Sequence, residues 1–394
     1  MSILAVNVGS SSIKFGLYSI ANYSVDEAEM TGAIEGLEPS GQARIRWSSK
    51  GQPRHDEDIH VSPGSDPFDA ALNNLKLLLE KNYSHISLRA IAHRVVHGGT
   101  LFTSSTVVTP EVLTKLATLN SLAPLHQPHN LEGIRAFTEA FPELIQVACF
   151  DTAFHHTLPA LETTFAIDRK IAHMGVQRFG FHGLSYQYIS QALKQVSPRS
   201  EGKTIMAHLG NGASLCATIG HESRATTMGF SAVDGLMMGT RSGALDPGVL
   251  LFLMEQGWNH DAIEKLIYKQ SGLLGVSGES ADMRTLSKSN SESARFAIDL
   301  FAYRIVREMG ALTACIGGMD VIAFSGGIGE HDAELRSQVC QSLAYLGVSI
   351  DELMNMQAVG DTVQSIHTTN SRVEVWVIPT DEGRVSAQEA LTLL

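Results

Sequence analysis

Ile3-Leu4-Ala5-Val6-Asn7-Val8-Gly9-Ser10-Ser11-Ser12 and Ile205-Met206-Ala207-His208-Leu209-Gly210-Asn211-Gly212-Ala213-Ser214 share one plan, and the fold follows from it. Each is an apolar, strand-like run that enters a turn of small residues. A second such run follows each turn, Ile13 to Tyr18 in one case and Leu215 to Ile219 in the other. Both therefore read as β-hairpins whose turns are rich in backbone N–H donors. Gly9 and Gly210 lie 201 residues apart in a chain of 394, close to half its length. The spacing predicts a duplicated α/β protein with one phosphate-binding loop in each half.

The segments between the hairpins fit that plan. Ala43-Arg44-Ile45-Arg46-Trp47 alternates apolar and charged residues, as a half-buried strand does. Phe68, Ala71, Leu72, Leu75, Leu78 and Leu79 recur at helical spacing behind the capping candidates Ser65 and Asp66. Ala90 to Val96 and Leu144 to Phe150 read as strands, the second ending at Asp151. Ala294, Ile298, Phe301, Ile305, Leu312 and Ile316 line one face of a long helix that Gly317-Gly318 would close. Val321 to Phe324 is strand-like and leads into an expected turn, Ser325-Gly326-Gly327-Ile328-Gly329. Alternating strands and helices call for an α/β architecture.

Charge limits the partners. Lys and Arg number 29 against 41 Asp and Glu, a formal net charge of −12. That balance repels nucleic acid and anionic lipid, and no long basic run offsets it. No nucleic acid or membrane partner is expected. An anionic ligand must be met by a few placed cations, by backbone N–H groups or by a metal. Residues 204–221 lack Asp, Glu, Lys and Arg, yet His208, Gly210, Asn211, Gly212 and Gly220 interrupt them as a spanning helix would not favour. Cys149, Cys216, Cys315 and Cys340 form no CxxC pair and are expected to be free thiols in a reducing compartment. The opening residues carry no basic stretch, so a cytoplasmic location is expected.

Familiar motifs fail on physical grounds. Gly202-Lys203-Thr204 resembles the end of a P-loop, but Ser197 stands at the first glycine and a strand follows where a helix should. Gly210-Asn211-Gly212 lacks the third glycine of a dinucleotide fingerprint. His93 and His97 are four apart, but a strand would separate them by about 13 Å. Two arginines remain, Arg94 in Ala-His-Arg-Val-Val-His-Gly-Gly and Arg241 in Met-Gly-Thr-Arg-Ser-Gly. Buried arginine is costly unless paired. Each is either bridged to a core carboxylate or an anion clamp beside a glycine turn. Asp151, at a strand end, reads alone as a helix N-cap.

Taken together, these segments resemble the acetate kinase family of the acetate and sugar kinase/Hsp70/actin superfamily. The resemblance rests on Asn7 to Phe15, His93 to Gly99, Phe150 to His155, Gly180-Phe181-His182-Gly183, His208 to Ser214, Met237 to Gly243, Asp282-Met283-Arg284 and Gly326 to Glu330, in family order across nearly the whole chain. It implies a duplicated actin-like, ribonuclease H-like fold of two lobes with the active site in the cleft between them. The lobes would span 1–150 and 151–394, with a C-terminal helix near 385–394 packing back on the first. It further implies an acetate kinase that moves the ATP γ-phosphoryl group reversibly to acetate. A propionate or butyrate kinase, a pyrophosphate-using relative and a non-catalytic nucleotide switch are the alternatives.

The same resemblance implies roles. Asn7 and Glu382 would serve Mg²⁺ (or Mn²⁺). Ser10, Ser12 and Lys14 would line the first phosphate hairpin, and His208, Leu209, Gly210, Asn211 and Gly212 the second. Arg94 would bind the substrate carboxylate, with Val96, Leu125, Phe181 and Ala232 around its methyl group. His182 and Arg241 would stabilise the phosphoryl group in flight, with Asp151 as the catalytic carboxylate. Asp282, Met283, Arg284, Gly327, Ile328, Gly329, Glu330 and His331 would hold the adenosine end of ATP or ADP. The long C-terminal helices would form a twofold homodimer. Departures from the family pattern are Leu184-Ser185-Tyr186 for Thr-Ser-His, Ala225 for Asp, Ala232 for Pro, His331 for Asn, and Asp381 and Gly383 beside Glu382.

Overall fold

A computed structural model describes residues 1–38, 41–62, 64–83, 86–124 and 126–394. The chain divides into two compact units, one of Met1–Phe154 with Asp381–Leu394 and the other of His155–Thr380.

In the first unit the strands are β1 (Ser2–Val8), β2 (Ser12–Ala21), β3 (Ser24–Glu35), β4 (Arg44–Ser49), β5 (His55–Asp58), β6 (Leu88–Val95), β7 (Thr106–Val107) and β8 (Ile145–Phe150). They form one sheet in the order β5-β4-β3-β2-β1-β6-β8-β7. β1, β2 and β3 pair antiparallel, while β1–β6 and β6–β8 are parallel. Ala90, Ile91 and Ala92 are wholly buried, as a strand parallel to both neighbours requires. The helix Pro67–Tyr83 begins behind Asp66, whose carboxylate accepts from Phe68 N–H at 2.8 Å. Its Leu72 and Leu75 enter the cluster of Leu4, Val6, Ile13 and Phe15.

A second helix, Gln127–Ala140, sits close on β1 because Gly133 has no side chain: a Cβ there would stand 2.7 Å from Val8 Cγ2. Asn130 on this helix donates to Val8 O at 2.8 Å and accepts from Val96 N–H at 3.0 Å. One amide thus pins the ends of β1 and β6 together. The helix Glu382–Leu391 packs on β1, β3 and β6, and Asp381 caps it by accepting from Arg384 N–H and Tyr18 O–H.

The second unit holds β9 (Lys203–Leu209), β10 (Ala213–Ile219), β11 (Glu222–Thr226), β12 (Val321–Ser325), β13 (Gln364–Ser365) and β14 (Glu374–Val377), ordered β11-β10-β9-β12-β14-β13. β9, β10 and β11 pair antiparallel, and β9–β12 and β12–β14 are parallel. The run β3-β2-β1-β6-β8 therefore recurs as β11-β10-β9-β12-β14, with every orientation kept. The duplication is complete at this level. Pairing of Val8 with Ile13 leaves Gly9 to Ser12 as the first turn, and pairing of Leu209 with Ala213 leaves Gly210 to Gly212 as the shorter second one.

The long helix is Glu292–Ile316, capped by Ser291 and closed by Gly317 at φ 71°. Ser325-Gly326-Gly327-Ile328-Gly329, expected as a turn, instead leads into a short helix, Gly326–His331. Two buried groups explain the difference. The Glu330 carboxylate turns back to accept from Gly326 N–H at 2.8 Å and Thr380 N–H at 3.0 Å. Arg336, fully buried, donates to Gly329 O, Glu330 O, Asn355 O and Oδ1, and Ala358 O. Each such acceptor left buried and unpaired costs about 1–3 kcal/mol, so the arginine fixes this segment. Among the described residues no helix is long and apolar enough to cross a membrane. All four cysteines are free. Burial pushes the thiols of Cys149, Cys216 and Cys340 up to about 12, which removes them as nucleophiles near neutrality.

Candidate active site

In the first unit the parallel register sets Arg94 on β6 beside Cys149 on β8, two residues before Asp151. Asp151 N–H donates to Val95 O at 3.0 Å, which carries the β6–β8 pairing one step past the strand end. Arg94 then reaches across with Nε 3.0 Å from Asp151 Oδ1 and Nη2 2.6 Å from Oδ2. Glu382 Oε2 lies 3.7 Å from Arg94 Nε. Burial works against the guanidinium charge, but the Asp151 and Glu382 carboxylates outweigh it and hold Arg94 protonated. Asp151 is buried, whereas the Arg94 side chain keeps 23% of its surface. The pair uses Nε and Nη2 and leaves Nη1 unengaged by any described residue. Asp151 thus serves as an ion-pair partner, where the sequence alone suggested a helix cap.

Around this pair, Val96 is buried, Asn7 and Lys14 are cross-strand partners on the hairpin, and Ser10 and Lys14 are exposed beside half-buried Ser12. Leu125 lies outside the described residues. Among the described residues no group of three or more His, Cys, Asp or Glu could hold a metal alone. Mg²⁺ fits here as a nucleotide-borne ion, which needs only one or two protein oxygens besides phosphates and water. The Asn7 amide and the Glu382 carboxylate are half-buried on β1 and on the helix packed against it, and oxygens of these two types would suit such an ion.

In the second unit the site grows from the turn Gly180-Phe181-His182-Gly183. His182 takes φ 57°, a left-handed conformation uncommon outside glycine, at the start of the helix Gly183–Val196. His155 supports the turn from below. Its Nε2 must donate to Phe181 O at 2.9 Å, so its Nδ1 accepts from Ser223 Oγ at 2.8 Å. The His182 ring stacks on His208 at 4.3 Å between centroids. His182 Nδ1 is 2.8 Å from Ser214 Oγ, and His208 Nδ1 is 2.8 Å from Ser185 Oγ.

Gly212 opens space for the cations. A Cβ on it would stand 3.3 Å from His182 Nε2 and 3.8 Å from Arg241 Nη1. Arg241 is itself oriented by donating to Ala232 O at 3.0 Å. The turn continues toward the other glycine segments: Gly239 N–H donates to Asn211 O at 2.9 Å, and a Cβ on Gly210 would lie 4.0 Å from Gly327 N. Ala281 O, just ahead of Asp282, would be 3.1 Å from a Cβ on Gly239. Leu209, Met283 and Gly329 are buried, Ile328 half-buried, and Arg284, Gly327 and His331 exposed. Asp282 accepts from Arg284 N–H and pairs with its guanidinium at 2.6 Å. The Glu330 carboxylate is taken up by its own backbone, so its part is to shape the segment.

Sequence reasoning missed the supports of these side chains. Ser214 and Ser185 stood within quoted segments with no sign of their partners, and Asn130, on a helix that also buries Gln127, carries no motif.

A strand order built twice, with placed cations near a glycine-rich turn in each half, is the arrangement of actin-like phosphotransferases. The sequence model of the Acetokinase family matches residues 2–388, and the chain belongs to that family. It is 46% identical over 395 residues to an acetate kinase of Rhodopseudomonas palustris (strain TIE-1), covering 99% of this chain and 98% of that one. Two solved structures are alike at 35% identity. A propionate kinase from Francisella tularensis subsp. tularensis SCHU S4 has a TM-score of 0.90 and coverage of 98% on both sides. Porphyromonas gingivalis acetate kinase has a TM-score of 0.89, covering 100% of this chain and 99% of that one.

Burial lowers His93, His97 and His155 from 6.5 to about 4. Unfolded, each takes up a proton near 6.5, so acid favours the unfolded chain between these values. Their contribution is full above pH 6.5 and is lost as pH falls toward 4, at about 1 kcal/mol per pH unit for each group. Urea unfolding at pH 7, 6 and 5 should show a falling midpoint, and His155→Gln a shallower fall. Equal slopes in the two proteins would contradict the burial argument.

Proposed function

We propose that the chain is an acetate kinase, moving the γ-phosphoryl group of ATP to acetate to give acetyl phosphate and ADP, and the reverse. The observation that carries this reading is the Arg94–Asp151 pair. A guanidinium locked on one edge by a buried carboxylate and left unengaged at Nη1 suits a small carboxylate acceptor.

The acceptor is already ionised at neutral pH, so no strong base is needed. A carboxylate oxygen bonds to the γ-phosphorus as its bond to the β–γ bridging oxygen breaks, and that oxygen leaves on ADP. The difficulty is an anion approaching a polyanion. Arg94 holds the acceptor, and Asp151 aims Arg94 rather than taking a proton. His182 Nε2 and Arg241 meet the charge on the phosphoryl oxygens, where one such contact is worth about 10²–10³ in kcat. Backbone amides of Asn211 and Gly212, with Ser10, Ser12 and Lys14, would hold the phosphates, the Gly210 N–H being taken by Gly212 O at 3.0 Å. Asp282 to Arg284, Gly327 to Gly329 and His331 would hold the adenosine end, in a segment whose path Glu330 fixes. Mg²⁺ would be bound through Asn7 and Glu382, and it supplies charge neutralisation on the phosphates.

Val96, Phe181 and Ala232 are assigned to the alkyl end of the acceptor, as is Leu125. Ala232 is smaller than the family's proline, which admits propionate at a modest handicap, while the β-branched Val96 limits depth. One added methylene is worth about 1 kcal/mol at most. Arg241→Ala should lower kcat far more than it raises the KM for ATP, because its partner is the moving group. Arg94→Ala should raise the KM for acetate as well as lowering kcat. Near-normal turnover in both would overturn the assignment.

The chain is further assigned to the cytoplasm and to a homodimer. The helix Pro247–Glu255 has no buried residue and exposes Leu251, Phe252 and Met254. A second copy is the occupant that the family's twofold assembly suggests. Light scattering at micromolar concentration should give twice the chain mass, and the mass of a single chain would contradict it.

A further inference from the structure

We propose that Tyr18 is a positioning residue: its hydroxyl, bonded to Asp381, sets the first turn of the helix Glu382–Leu391 and so the place of Glu382 beside Arg94. The inference rests on the role given to Glu382 above for its metal-binding consequence alone. Tyr18 is buried on β2, where it pairs with Ile3 of β1 and Ala28 of β3. The register with β3 shifts on either side of it, and irregular pairing of this kind re-aims a side chain. Strand alternation puts Ile13, Phe15 and Leu17 on the face that packs under the helix Pro67–Tyr83. Lys14, Gly16 and Tyr18 are therefore on the other face, where the helix Glu382–Leu391 lies.

Two glycines make room for the phenol. The three atoms nearest a Cβ on Gly16 would all belong to Tyr18, with Cε2 at 2.7 Å. The same holds for Gly383, whose Cβ would run into the hydroxyl and stand 3.0 Å from Cζ. Gly383 has no left-handed backbone to require glycine, and glycine is unfavourable in a helix relative to alanine. The phenol is what excludes a side chain at both positions. Asp381 and Gly383, two departures from the family pattern, thus meet at one oxygen.

The direction of the bond is fixed by chemistry. A carboxylate accepts, so the Tyr18 O–H donates to Asp381 Oδ1, at 2.7 Å. The same oxygen accepts from Arg384 N–H at 2.9 Å and so caps the helix. Further along, Arg384 Nε donates to Val25 O at 3.0 Å, and Gln388 Oε1 accepts from Val25 N–H at 2.9 Å. Those two bonds hold the helix to β3, whereas the Tyr18 bond holds the residue immediately before Glu382 to β2. Glu382 Oε2 then stands 3.7 Å from Arg94 Nε. Arg94 keeps its own two bonds to Asp151, so a shift of Glu382 leaves that pair in place.

The test uses the full chain and Tyr18→Phe, which keeps the ring and removes the donor. Hydrogen exchange should quicken roughly 3- to 10-fold at the Arg384 and Val385 amides and stay unchanged in the last turn of the helix. Asp381→Ala should quicken the same amides, and adding Tyr18→Phe to it should change nothing more. Binding of Mn²⁺ with ADP, read by electron paramagnetic resonance without turnover, should weaken roughly 2- to 10-fold in Tyr18→Phe. The KM for acetate should stay at its native value. Gly383→Ala should lower the urea midpoint of the native chain and raise that of Tyr18→Leu, where the end of the ring is gone. Unchanged exchange at both amides in Tyr18→Phe, or the same sign for Gly383→Ala in both backgrounds, would overturn the proposal. A KM for acetate raised as much as Mn²⁺ affinity is lost would mark general damage and overturn it as well. Quickened exchange with unchanged Mn²⁺ affinity would uphold it and count against Glu382 as a metal ligand.

Discussion

The bidentate pair between Arg94 and Asp151 is the interaction on which the first unit's chemistry depends. On the proposed reading, a chain with a net charge of −12 keeps this one cation ready for an anionic acceptor. Left alone on a buried strand, that cation would be costly; fully neutralised, it would have nothing to offer. Pairing through Nε and Nη2 resolves the conflict, because a planar guanidinium keeps a second set of donors when one edge is occupied. The β6–β8 register sets the two residues at this distance, and Asn130 fixes the end of β6 that carries one of them. Backbone pairing and one buried amide thus determine the aim of a side chain.

The second unit solves a related problem with glycine and a strained histidine. Removing a side chain at Gly212 lets an imidazole and a guanidinium approach one turn, and the left-handed backbone of His182 brings the ring there. Strain of this kind costs of order 1–3 kcal/mol and persists only where neighbours over-determine it. His155 under Phe181 O and the serine contact at Nδ1 are those neighbours. The first of these is a neutral hydrogen bond in buried surroundings. Such bonds hold geometry without adding charge to a place where charge must change during a reaction.

Much of this was legible from residues alone. Period and turn chemistry located both hairpins, because strand pairing across a short turn is local. The duplicated strand order was legible as an echo but not as a topology, since parallel neighbours such as β1 and β6 are separated by four further strands and a helix. Arg94 and Arg241 stood out as cations in apolar or glycine-rich settings. The partner of Arg94 did not: Asp151 is 57 residues away and looks locally like a helix cap. Ser325 to Gly329 reads as a turn on glycine content, yet Arg336 and Glu330 supply hydrogen bonds that no local pattern displays. Ser214 was visible as a small residue after a turn, and its position between two rings exists only once β10 and the helix Gly183–Val196 are packed.

The most direct measurement is trapping of acyl phosphate as its hydroxamate, with ATP and Mg²⁺ and with acetate, propionate and butyrate in turn. The proposed role of Arg94 as the acceptor's clamp predicts acyl phosphate from acetate at the highest kcat/KM, with propionate next and butyrate last. Nucleotide hydrolysis without any acyl phosphate would contradict the account, for it would leave Arg94 with no acceptor to hold.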